Sequence, residues 1–361
     1  MSRGPRHRLR QNGRVSVDYS PLFIPVSRDE VARFKRESRE AAQPWAHSAT
    51  ATTVAASLVG AVIVIVVVVL IATSLPIALQ SPGSGVSVAF VIWPLLVVAL
   101  GGFALYRYLS HASGRWESLL RRTRFASANS LAYLTGTRNP DYPGLIFAHG
   151  DSRQTSDNYR SQTDPYFDLG NYRYTTGSGK EKTTHTWGYL ALRLERRLPQ
   201  MVLDARGNNG LLGGSTLPTT FRRDQKLSLE GDFDRYFTLY CPRQYERDAL
   251  YVFTPDLMAL LIDETAAFDV EIVDDWMFVY SVNEFALDTA QTVDRLFRII
   301  ETVGAKTLRQ TNRYADERIG DAAIDLVAPQ GQRLKKGVTL AGVGMIAIIA
   351  WVAFSFVRAW F

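Results

Sequence analysis

Three long apolar runs set the hydrophobic pattern of this chain. The first, residues 54–79, is mostly Val, Ile, Leu and Ala, and its exceptions Ser57, Gly60, Thr73, Ser74 and Pro76 are uncharged. A hydrocarbon core about 30 Å thick needs about 20 apolar residues in helix. In lipid a spanning segment must satisfy its own backbone, so the β-branched composition does not argue against helix. The second run, residues 86–106, contains Trp93-Pro94 and ends at Tyr106 and Tyr108, residue types suited to an interface. Pro94 is expected to kink it. An uncharged loop with Ser81-Pro82-Gly83-Ser84-Gly85 joins the two. The third run, residues 338–357, follows Lys335 and Lys336 and precedes Arg358. The pattern predicts a membrane protein with an N-terminal two-helix transmembrane hairpin (51–109) and one C-terminal transmembrane helix (337–358).

Shorter periods fill the remainder. Ser27-Arg28-Asp29-Glu30 has capping-box spacing, predicting a helix from Arg28 to about Ala42 with a thin stripe of Val31 and Phe34. It reads as a solvated lead-in within a basic, partly disordered region 1–50. Residues 110–144 read as a helical linker, helical from Ser110 to Leu134 and broken at Asn139–Gly144. Residues 145–305 read as an α+β domain with a mainly antiparallel sheet. Its strand candidates are Leu145–Ala148, Tyr166–Tyr174, Thr186–Leu194, Met201–Ala205, Lys226–Leu229, Phe233–Tyr240 and Ala249–Phe253. Thr186–Leu194 alternates as a half-buried strand does, and Pro199 separates it from the next. Thr254-Pro255 opens a helix, as N-cap and N1. Phe268–Val273 and Trp276–Val282 flank Asp274-Asp275 as a hairpin. Val293, Leu296, Phe297 and Ile300 give a helix at 287–302 its buried face. This order predicts helices packed on one face of a sheet, then a charged helical linker, 306–336.

Charge separates these regions. Residues 1–50 carry ten Lys/Arg against five Asp/Glu, whereas residues 126–330 carry 22 against 29. The basic excess flanks the apolar runs, at Arg107, Arg115, Arg121, Arg122, Lys335 and Lys336. That predicts a multi-pass plasma-membrane protein whose N-terminus and acidic main domain are cytoplasmic. The partners implied are the lipid bilayer, anionic headgroups and an unidentified protein. Nucleic acid is not among them, because the large domain is acidic. No signal peptide is visible. The single cysteine, Cys241, excludes an intramolecular disulfide.

Candidate chemistry is sparse. Gly177-Ser178-Gly179-Lys180 lacks the P-loop pattern, since Tyr174 and Glu181 occupy its glycine and hydroxyl positions, and it reads as a turn. The Gly207–Gly214 loop lacks dinucleotide spacing. Cys241 with His185 or His149 is the candidate nucleophile and base, against a small thiol ending an apolar strand. Glu230, Asp232 and Asp234 would share one face of a strand and are the candidate ligand-binding acids, against a solvated face paired with Arg235, Arg243 and Arg247. No His/Cys spacing suits a metal, and no cofactor is implied.

The stretch Leu229-Glu230-Gly231-Asp232-Phe233 through Phe253-Thr254-Pro255-Asp256-Leu257-Met258 resembles an uncharacterised family of membrane proteins from high-GC Gram-positive bacteria, the actinobacterial type. The resemblance spans much of residues 50–357 and implies a β-rich cytoplasmic domain but no activity. The expected function is a non-enzymatic anchor, scaffold or sensor. The alternatives are a membrane-bound hydrolase or transferase with a dispersed site, and an accessory subunit of an envelope complex.

Overall fold

The computed structural model describes residues 17–43, 85–210, 214–321 and 323–337, with scattered positions between 60 and 76. The first apolar run is thus described only in part, and the third, 338–357, lies outside the described residues. The second run lies inside one 44-residue helix, Gly85–Ala128, which Pro94 does not end. Its later half carries Arg107, Arg115, Glu117, Arg121, Arg122 and Arg124, charges that do not belong in hydrocarbon. Among the described residues no helix is long and apolar enough to cross a membrane. This overturns the expected three-helix membrane architecture, and with it the multi-pass plasma-membrane location.

The chain divides into two compact units, residues 20–125 and residues 1–19 with 126–361. In the first, α1 (Arg28–Glu40) begins with the predicted capping box. Ser27 Oγ accepts from the Glu30 amide at 3.2 Å, and the Ser27 amide donates to Glu30 Oε2 at 2.8 Å. The helix is no solvated lead-in. It packs on α2 (Gly85–Ala128) through Phe34 and Trp116, edge to face at 6.1 Å, with Lys35 over the same indole. Arg124 pairs with Glu30 at 2.9 Å, and Arg121 pairs with Glu117 at 2.7 Å.

The second unit is built on a seven-stranded antiparallel sheet. The helix predicted to reach Leu134 stops at Ala128, and Leu131–Leu134 is strand β1. Then follow β2 (Asp151–Ser161), β3 (Phe167–Thr176), β4 (Thr183–Ala205), β5 (Lys226–Leu227), β6 (Phe237–Tyr240) and β7 (Asp269–Ser281). β4 is the axis. Its first half pairs with β3, from Thr183↔Thr176 to Leu192↔Phe167, and its end pairs with β6. Its opposite edge pairs with β7 from Gly188↔Ser281 to Leu203↔Val270. The predicted turn Gly177–Lys180 lies in the connection between β3 and β4, with Gly177 at φ 76° and Gly179 at φ 56°.

Several expected elements merge or change type. β4 is central, and both faces of Trp187–Leu192 are buried. It is one strand because Pro199 falls where the ladder with β7 is irregular, between Arg193 and Met201, and needs no amide partner there. Asp274-Asp275 turns no hairpin. Asp274 takes the left-handed conformation at φ 52° inside a continuous β7. Ala249–Phe253 is not a strand, since α3 (Glu246–Val252) covers it. Leu145–Ala148 is a 3-10 turn. α4 (Pro255–Thr265) starts where Thr254-Pro255 predicts, although the Thr254 side chain makes no capping bond.

The sheet has two different covers. Leu169, Leu190, Leu192 and Phe167 face α5 (Ala290–Ile299), the π-helical turn Ile300–Gly304 and α6 (Ala305–Thr311). Phe167 meets Phe297 at 5.6 Å, and a Cβ on Gly304 would lie 2.8 Å from Leu192 Cδ2. The predicted stripe Val293, Leu296, Phe297 and Ile300 is buried there. The other face, with Tyr172, Tyr189, Phe278 and Tyr280, is covered by chain without long helices: Ile146-Phe147, Leu217 and Leu334. The segment expected as a helical linker, 306–336, is mostly irregular and is tied to the domain. Asp316 accepts from Tyr245 Oη at 2.7 Å and the Ala328 amide at 2.9 Å. Arg318 pairs with Asp316 and Asp248 and lies 3.9 Å over the Tyr245 ring.

Candidate functional site

The helix-free face carries the polar chemistry of the domain. Asp168 on β3 is fully buried and saturated. Its Oδ2 accepts from Tyr142 Oη at 2.6 Å and Arg160 at 2.8 Å, and its Oδ1 accepts from Asn158 at 2.9 Å and Tyr189 Oη at 3.2 Å. Burial, then the neighbouring carboxylate, pushes the Tyr142 and Tyr189 phenols up. Glu271 on β7 accepts from the Leu145 amide, Tyr280 Oη and Gln200 Nε2, each at 2.7 Å. Gln200 Oε1 in turn accepts from the Leu334 amide at 2.7 Å, so this chain of bonds clips residue 334 to the sheet. Burial raises the Glu271 carboxyl to about 7 even against those donors.

A second acidic place lies at the ends of β4 and β7. One step beyond the Leu203↔Val270 pair, Asp204 and Asp269 stand opposite each other, which puts their Cβ atoms about 5 Å apart. Asp269 is fully buried and Asp204 is 5% exposed. Asp269 Oδ1 accepts from the Ala205 amide at 2.8 Å, and the Thr216 hydroxyl is 3.4 Å from Oδ2 and 3.3 Å from Asn208 Oδ1. Burial pushes Asp269 up to about 7, and the Asp204 charge adds to that. Burial also raises Asp204, against the Ser215 hydroxyl and the Arg206 charge. Asp204 Oδ1 and Asn209 Oδ1 are buried and have no hydrogen-bond partner among the described residues.

The same unit has an open cleft of about 500 Å³ lined by Asp164, Pro165, Tyr166, Arg193, Leu194, Glu195 and Leu308. The turn between β2 and β3, with Asp164-Pro165 in cis, forms one wall, and β4 forms another. Beside it Tyr166 meets Trp276 edge to face at 5.8 Å. The Arg193 guanidinium lies 5.5 Å from the Trp276 ring and pairs with Asp275 at 2.7 Å.

The residues singled out from sequence are scattered. Cys241 follows β6, is buried, and has its thiol pushed up to about 12 by burial, which disfavours the thiolate. His185, near the start of β4, bonds Thr176 Oγ1 at 2.8 Å and stacks on Tyr174. His149 bonds Thr219 Oγ1 at 3.0 Å, and burial lowers its pKa. Glu230, Asp232 and Asp234 do not share a strand face, because Phe233–Arg235 is a 3-10 turn. Asp234 accepts instead from Ser228 Oγ and the Leu229 amide, closing that turn. Arg107 and Arg115 lie in α2 with Arg121 and Arg122. Lys335 and Lys336 flank no spanning helix among the described residues. Lys335 exchanges two hydrogen bonds, both at 2.8 Å, with the Gln225 amide, and Lys336 bridges to Phe221. No group of three or more His, Cys, Asp or Glu placed to hold a metal occurs among the described residues.

Asp204, Asp269 and Glu271 were not singled out from sequence. One signal was available, an ionisable residue inside an apolar strand (Met201-Val202-Leu203-Asp204-Ala205), since such a group must find compensation when the strand is buried.

No family model matches the chain, and no curated protein matches it by sequence. Among solved structures, the crystal structure of the mycobacterial trehalose monomycolate transport factor A, TtfA, matches at a TM-score of 0.30 and 13% identity, over 50% of this chain and 93% of that one. A likeness that low carries no argument about role.

Proposed function

We propose that the sheet unit is a non-enzymatic binding module that docks a protein partner at the cleft between the β2–β3 turn, β4 and Leu308. The observation that carries this reading is the cluster of Tyr166, Trp276 and Arg193 at the cleft margin, with the Arg193 side chain 57% exposed and stacked on the indole. Trp, Tyr and Arg dominate the binding energy of protein interfaces, because rigid aromatic area and a planar cation lose little entropy on docking. Asp164 and Glu195 at the margin favour a partner that presents a basic side chain.

The test is co-purification with the full chain. A stoichiometric partner is expected, and Trp276→Ala is expected to weaken its capture by about 2 kcal/mol, roughly thirtyfold. Arg193→Glu, a surface change that spares the core, is expected to weaken it as well. Absence of a stoichiometric partner, or capture unchanged in both variants, would refute the reading.

A further inference from the structure

The cleft beside Trp276 is acidic at its rim and aromatic at its wall. Asp164 and Glu195 are exposed there, and neither forms an ion pair among the described residues. The cation next to them, Arg193, is paired with Asp275 at 2.7 Å. Two negative charges therefore stand uncompensated at an opening of about 500 Å³. A basic side chain on a partner gains from them, although solvent screening keeps the gain modest. Behind the acids Pro165 and the half-buried Tyr166 line the cleft, and the half-buried Trp276 meets Tyr166 edge to face at 5.8 Å. Trp276 is held in turn by Tyr142 at 5.2 Å and by stacking on Phe278. Rings fixed in this way present rigid apolar area, which loses little entropy on docking.

Two common modes of peptide recognition do not fit this place. An added strand needs a free sheet edge, and the backbone here is taken. The Arg193 amide donates to the Tyr166 carbonyl at 2.9 Å, and Arg193 pairs with Trp276 in the β4–β7 ladder. An amphipathic helix needs a long apolar groove, whereas the aliphatic side chains lining this cleft are Leu194 and Leu308. A polyproline II chain needs neither edge nor groove. It is already extended, keeps its backbone in water and packs its prolines on aromatic side chains. On the basis of the docking function proposed above, we infer that the occupant of the cleft is a proline-rich segment of a partner protein in the polyproline II conformation, with an arginine or lysine beside its prolines. The prolines lie on Tyr166 and Trp276, and the basic side chain meets Asp164 and Glu195.

The experiment offers the purified full chain two bead-bound peptide libraries. One fixes the pattern Arg-x-x-Pro-x-x-Pro with x randomised, and the other has alanine in place of both prolines. Retention roughly tenfold or more greater on the proline library is expected. Trp276→Ala is expected to lower that retention roughly thirtyfold. The double variant Asp164→Lys with Glu195→Lys changes exposed side chains and leaves the core untouched. It is expected to lower retention by roughly tenfold and to shift preference to a third library with glutamate in place of the arginine. Equal retention on the proline and alanine libraries overturns the inference, as does retention unchanged in both variants. A proline preference that is lost in Trp276→Ala but survives the charge reversal overturns the pairing with the two acids. A stoichiometric natural partner captured through Trp276, together with equal retention on the two libraries, overturns the polyproline assignment and leaves the docking function standing. Failure of both removes both.

Discussion

Asp168 and the Asp204–Asp269 pair are the same chemistry placed in two regions of one sheet, and they are solved in opposite ways. Asp168, the second residue of β3, lies between β2 and β4, so side chains from both neighbours converge on it: Asn158, Arg160 and Tyr189, with Tyr142 from the covering chain. The pair sits where β4 runs out and β7 begins, and the donors beside it are a backbone amide, small hydroxyls and the Asn208 amide, with no arginine bonded to either carboxylate among the described residues. A saturated carboxylate holds a fold together. An undersaturated one costs stability.

Removing Asp168 should give the largest effect. Asp168→Ala strands Arg160 together with Asn158 and two phenols, and is expected to destabilise the domain by about 3–5 kcal/mol in denaturant unfolding. A loss below about 1 kcal/mol would mean that the cluster is not the tie described. At the other pole the sign reverses. Asp204→Asn relieves the opposition between two buried acids, and is expected to stabilise the domain by about 0.5 kcal/mol in denaturant unfolding, the scale of a like-charged pair facing across strands. Destabilisation would erase the contrast. The smallest effect belongs to a half-exposed acid, Glu30, whose carboxyl is held down to about 2 by the Ser27 amide and Arg124. A lowered carboxyl contributes its stability above the unfolded value of 4.5, and that contribution is lost as pH falls from 4.5 through about 2. Unfolding measured across that window should decline with acid, and Glu30→Gln, which removes the titrating group, should flatten the decline.

Local signals were legible before any coordinates. Ser27 and Glu30 close their capping box within one turn, so nothing distant is needed to form it. The 287–302 stripe buries the four residues its spacing selects, and the Gly177–Lys180 turn follows from glycine at positive φ. The apolar runs were read as spanning helices because length and lack of charge are all that such a reading weighs. The second run instead continues into the charged half of α2, and no helix among the described residues meets the requirement for crossing. Ala249–Val252 carries strand-forming residues yet lies in α3, which is held from outside: Asp248 accepts from Tyr314 Oη and pairs with Arg318, and the Tyr251 carbonyl accepts from Gln310 on α6.

By itself the sequence determined what acts over a few residues: the α1 cap, the Thr254-Pro255 helix start, the α5 stripe, the tight turn before β4, and a single thiol with no disulfide partner within the chain. Only the tertiary structure decided what depends on register between distant strands. It made Thr183–Ala205 one axis through Pro199, turned Asp274 into a kink within β7, and separated Cys241, His185 and the Glu230–Asp234 acids. It also set Asp204 opposite Asp269 across the sheet. The physical reason is that capping, periodicity and turn chemistry are satisfied by near neighbours in the chain, whereas the fate of a buried carboxylate is set by which strands lie beside it.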